Sequence, residues 1–161
     1  MKQSLVRVAA FRRDHPRGWT FACTVLLAGL SLLIGLGVTV YDGVMNPLPR
    51  PRAFFILVGL FAFYAPGLLM AAAAVGLRRG WTRLVWLGAL AALAQGAMAA
   101  VATFGQFAFT PFMMRPMVEF LLWSAADFYV AWRLWQSIPW VAADAVARVG
   151  FEVDMAEAEV A

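Results

Sequence analysis

Four apolar runs, each close to the length of a bilayer crossing, constrain this chain more than any motif in it. They lie at about residues 19–41, 53–76, 84–104 and 117–137. A helix rises ~1.5 Å per residue, so ~20 apolar residues cover the ~30 Å of hydrocarbon in a membrane. Transmembrane strands are shorter, ~9–11 residues, and alternate in polarity, which these runs do not. The expected fold class is an all-α membrane protein: four transmembrane helices in a compact bundle, forming one integral membrane domain over residues 1–161. Composition agrees, since 63% of the residues are hydrophobic and 14% charged, where soluble domains have ~45–50% and ~25%. At a mean hydropathy of +0.77, the bilayer is the solvent.

The arginines give the orientation, because short loops rich in Lys and Arg stay cytoplasmic. Lys2, Arg7, Arg12, Arg13 and Arg17 precede the first run, Arg78, Arg79 and Arg83 lie between the second and third, and Arg148 follows the fourth; the opposite side holds Arg50, Arg52 and Arg115. Both termini are therefore expected in the cytoplasm, and the chain in a plasma membrane of the bacterial inner-membrane kind. Trp19, Trp81, Trp86, Trp132, Trp135 and Trp140 form an aromatic belt mostly on that face. The first run exceeds the ~7–15-residue core of a secretory signal and no small-x-small site follows it, so it reads as a retained anchor. The net charge of +4 follows from this topology, and its partners are anionic lipid headgroups, not nucleic acid.

Single residues exclude several chemistries. Cys23 is the only cysteine and His15 the only histidine, so an intrachain disulfide, a cysteine metal cluster and bis-histidine haem ligation within one chain are ruled out. No glycine-rich phosphate loop and no Gly-x-Ser-x-Gly elbow is present. No catalytic residue, metal or cofactor is expected.

The fourth run, EFLLWSAADFYVAWRLW over residues 119–135, carries three ionisable groups. With the helix running inward, Glu119 lies near the outer interface, Asp127 near the midplane and Arg133 near the inner interface. At ~100° per residue, Glu119, Trp123, Asp127, Val130 and Arg133 share one stripe, which should face protein or water. A lipid-facing Asp at that depth costs ~2.5–3.5 kcal/mol, so Asp127 requires a partner or a proton. Arg133 is six residues on, outside i+4 reach, and is expected to snorkel to the interface. Ser31, Tyr64 and Gln95 sit at comparable depth in the other runs and, with Asp127 and Glu119, make up a candidate intramembrane polar cluster. Pro66 frees the carbonyl of Ala62 and should kink the second helix. Gln95 is expected to act as interhelical glue, in bonds that average ~0.6 kcal/mol.

Gly88, Ala92, Gly96 and Ala100 recur every four residues, a small-residue seam that admits a second helix, of this chain or another, at close range. Two outer segments point to docking. Asn46 to Arg52, with prolines at 47, 49 and 51, is extended and stiff. Gly105 to Pro116 carries Phe107, Phe109, Phe112, Met113 and Met114, apolar for a loop and suited to headgroup burial or partner contact. The basic segment 1–18 and the acidic tail 141–161, with Asp144, Glu152, Asp154, Glu157 and Glu159, are of opposite charge. Pro139 is expected to end the fourth helix and release that tail.

Three functions fit. The first is an accessory, scaffolding or assembly subunit of a larger membrane complex, without catalysis of its own, associating with other subunits or with its own copies. The topology resembles that of the small four-helix subunits of tripartite solute transporters, in architecture and through no shared motif. The second is a small oligomeric proton-coupled transporter or channel using Asp127. The third is a lipid-binding or lipid-modifying membrane protein.

Overall fold

The computed structural model describes residues 16–40, 56–109 and 114–160. Among these residues every regular element is a helix. Helix α1, Pro16–Gly37, continues in wider turns over 38–40. Helix α2, Ile56–Arg79, contains a π-helical stretch at Gly59–Tyr64. Helix α3 is Thr82–Phe109 and helix α4 is Met114–Val160. α1 starts on a proline, whose missing N–H is one that no helix start can satisfy internally. α2 ends at Gly80, with φ 78°, a left-handed conformation that costs a glycine little. The following N–H, of Trp81, then reaches the Gly76 carbonyl at 3.0 Å, so the last turn is closed and α3 departs antiparallel after two residues.

α3 packs against both α2 and α4, while α1 packs on α2 and, over a narrower strip, on α4. Met70, Val85, Ala92 and Leu134 are fully buried at the centre. The seam residue Gly88 is seated on Ala73 of α2 so closely that a Cβ on it would collide with the Ala73 methyl. Gly96 is seated on α4, where a Cβ would stand 3.0 Å from that of Asp127. Ala92 is buried between them, and Ala100 is half-buried. The outer surface is the reverse of a soluble protein's, with Leu26, Leu33, Phe61, Val101 and Phe104 all turned outward. Three helical stretches, Arg17–Val40, Ile56–Arg79 and Thr82–Gly105, are long and apolar enough to cross a membrane. α4 is longer but interrupted by Glu119, Asp127 and Arg133.

The structure shifts the helix limits expected from sequence. The second helix ends three residues later, at Arg79, and the fourth is extended at both ends. The greatest difference is at Pro139, which does not stop α4. A proline inside a helix costs ~3 kcal/mol through a lost bond and a clash. Continuing the helix sets gains against that cost: Val141 enters the core, Asp144 pairs with Arg17, and Ala145 packs on Gly80. The apolar outer connection also shrinks, because 105–109 belong to α3 and 114–116 to α4. Phe107, Phe109 and Met114 thus lie in helices, whereas Phe112 and Met113 are outside the described residues, as are His15 and the 46–52 segment.

Candidate functional site

The polar groups inside the bundle form two centres. The first arises at Pro66, which has no N–H to offer the preceding turn. Ahead of it the helix widens into the π stretch, where the Ala65 N–H bonds back to Leu60. The Ala62 carbonyl is instead met from α3, by Gln95 Nε2 at 3.0 Å. Gln95 Oε1 in turn accepts from Ser31 Oγ of α1 at 3.2 Å. Gln95 and Ser31 are both buried, so one amide ties three helices at a point where the backbone alone falls short. Tyr64 does not join this link; its ring lies near Gly35 of α1.

The second centre is Asp127. It is fully buried, held over Gly96 at the α3–α4 contact, and Ser124, one turn earlier, donates to the Gly96 carbonyl at 2.9 Å. Neither Asp127 oxygen has a hydrogen-bond donor among the described residues, and the nearby Trp123 indole N–H is also buried without an acceptor. The two groups approach each other without reaching hydrogen-bond geometry. This carboxyl is packed, not tethered, which is costly for any polar group in such a setting.

Of the stripe on α4, Asp127 and Val130 are buried, Trp123 and Arg133 are half-buried, and Glu119 is exposed. Glu119 therefore stands apart from both centres. Arg133 Nη2 donates to Thr20 Oγ1 of α1 at 3.2 Å, because α1 crosses within reach and supplies a hydroxyl. Two further α1–α4 contacts escaped the sequence reading. Trp19 Nε1 donates to the Tyr129 hydroxyl at 2.8 Å, and Arg17 forms an ion pair with Asp144. Sequence held a weak trace of the last, in the opposite charges of the two tails. Cys23 is half-buried and packs against the core.

Among the described residues, no group of three or more His, Cys, Asp or Glu side chains is placed to hold a metal. Two clefts open on the Arg78 side. One, of about 520 Å³, runs between α1 and α2; the other, of about 220 Å³, is bounded by Arg17, Arg78 and Trp140. Outward-facing Trp86 and Trp135 pack edge-on at 4.5 Å across α3 and α4. No protein-family model, curated protein or solved structure matches this chain.

Proposed function

We propose that this chain is a four-span accessory subunit of a larger membrane complex, with both termini in the cytoplasm of a bacterium and no catalysis of its own. The observation that carries the reading is the length of α4. Ala145 packs on Gly80, level with the α2–α3 turn, and the helix then continues from 146 to 160, ~22 Å further. That stretch carries Glu152, Asp154, Glu157 and Glu159, too acidic to lie among lipid tails. A helix is rarely stable in water without a packing surface, and a partner subunit supplies one. The four-span topology draws support from register: α4 is antiparallel to α3, with Ser124 on Gly96 and Ala145 on Gly80, so it crosses wherever α3 crosses. Asp127 and Arg133 are turned towards α3 and α1 instead of lipid.

The test compares the full chain with one truncated after Val146, purified from native membranes in mild detergent. The full chain is expected to copurify with a larger membrane protein in fixed stoichiometry. The truncated chain should keep its helicity and melting temperature while losing that protein. Recovery of the full chain only with its own copies refutes the reading.

A second reading, proton-coupled transport by a small oligomer, is favoured by one observation: both Asp127 oxygens are buried without a donor among the described residues. In reconstituted vesicles it requires pH-dependent uptake that Asp127→Asn removes while the bundle stays folded. Uptake unchanged by the substitution eliminates it.

A further inference from the structure

We propose that the cleft between α1 and α2 binds one acyl chain of an anionic phospholipid, whose phosphate is held by Arg78 and Arg79. Small residues form the trough: Ala28 and Gly29 on α1, Ala71 and Ala74 on α2. Along α1 the cleft runs from Phe21 to Leu32, which at ~1.5 Å per residue is ~16 Å, close to half of the ~30 Å hydrocarbon thickness. An apolar trough one leaflet deep has the dimensions of a lipid tail. It is open to the side, where the bilayer lies, so a tail enters laterally.

The cationic end fixes which lipid. Arg78 and Arg79 line the same end of the cleft, at the close of α2. Arg78 is held over the Phe21 ring at 4.1 Å and Arg79 over Trp81 at 5.2 Å, so aromatic faces position both guanidinium groups. The planar guanidinium fork matches phosphate oxygens, and a helix C-terminus alone would not attract an anion. The ionisable side chains that line the two clefts are Arg17, Arg78 and Arg79, all cationic, and Asp144 pairs with Arg17. The smaller cleft shares Phe21 and Arg78 and adds Arg17, giving room beside the phosphate for a headgroup. A zwitterionic lipid brings its own ammonium and gains less from this end than an anionic one does. Each arginine near an anionic surface contributes about five-fold in occupancy, so the pair accounts for roughly thirty-fold. The proposal rests on α1 and α2 lying in a bilayer and is independent of any partner for α4.

Gly29 provides a clean perturbation, since a Cβ there meets nothing within 4 Å. Gly29→Leu fills the trough without disturbing the helix contact. The experiment releases the full chain from micelles containing equal phosphatidylglycerol and phosphatidylcholine and counts retained lipids by native mass spectrometry. The wild type should hold one phosphatidylglycerol in large excess over phosphatidylcholine. Arg78→Gln with Arg79→Gln should lower that excess roughly thirty-fold, and Gly29→Leu should lose both lipids at a melting temperature no lower than that of the wild type. Equal retention of the two lipids by the wild type, or undiminished phosphatidylglycerol in either variant, overturns the proposal.

Discussion

If Gln95 supplies the donor that Pro66 lacks, then the cost of losing Gln95 must depend on whether residue 66 is a proline. In the native chain, Gln95→Leu removes the 3.0 Å bond to Ala62 and the 3.2 Å bond from Ser31. Interhelical bonds in membranes average ~0.6 kcal/mol, up to ~1.7, whereas stranding a buried acceptor costs ~1–3 kcal/mol. The Ala62 carbonyl would be stranded, so the substitution should cost about 2–3 kcal/mol, the lost Ser31 bond included. Pro66→Ala restores a backbone N–H that can close the α-helical bond to residue 62. In that background Gln95→Leu should cost only the Ser31 bond, ~0.6 kcal/mol. The coupling between the two sites is therefore expected to be about 1.4–2.4 kcal/mol, several times the ~0.3–0.5 kcal/mol scatter of independent sites. Reversible unfolding in mixed micelles, or steric trapping in bicelles, measures all four corners of the cycle. Ser31→Ala serves as the control, since it should cost about the same in both backgrounds. Additive single-site effects would show that the amide and the proline are merely neighbours.

Three further outcomes test the packing. Gly88→Ala drives a methyl into that of Ala73 and should cost ~1–3 kcal/mol by overpacking, whereas Gly29→Ala, where the space is open, should gain up to ~1 kcal/mol from helix propensity; both are read by the same unfolding assay, and equal effects would contradict the geometry. Asp127→Asn keeps the volume while removing the carboxyl, so stability should be unchanged or higher; a loss above ~1 kcal/mol would mean that the folded bundle does give this carboxyl a donor. Asp144→Asn breaks an exposed pair with Arg17 and should cost no more than ~1 kcal/mol, an effect that fades as salt is raised. A larger, salt-insensitive loss would mean that Asp144 holds the α1–α4 contact by something other than charge.

What could be read from the sequence were the features that depend on one helix at a time. Apolar length marks three crossings directly, and four-residue spacing marks Gly88 and Gly96 as sites of close approach. Pro66 announces a carbonyl in need of a donor by its covalent structure alone. Which groups answer such needs depends on how helices lie beside one another, and no periodicity within a single segment contains that. Gln95 meets Ala62 because α3 returns antiparallel two residues after α2. Tyr64, at similar depth, faces another way, and Arg133 finds a hydroxyl on α1 that is 113 residues distant in the chain.

Pro139 shows the same limit from the opposite side. The rule that a proline ends a helix weighs a local loss, and it holds when nothing beyond the proline is worth reaching. Here the next turns bring Val141 into the core and place Ala145 on Gly80, contacts that only a continued helix can make. Burying a valine contributes ~1.5–3 kcal/mol, enough by itself to offset much of the ~3 kcal/mol penalty. Pro139→Ala should therefore stabilise the bundle without lengthening α4, while Val141→Asp should make the helix stop where the sequence first suggests. Cysteine accessibility along 141–146 in a Cys23→Ala background separates the two cases. Continued protection at 141 in the Val141→Asp chain, read from neighbouring positions, would mean that α4 is held straight by its own turns and not by the surface it packs against.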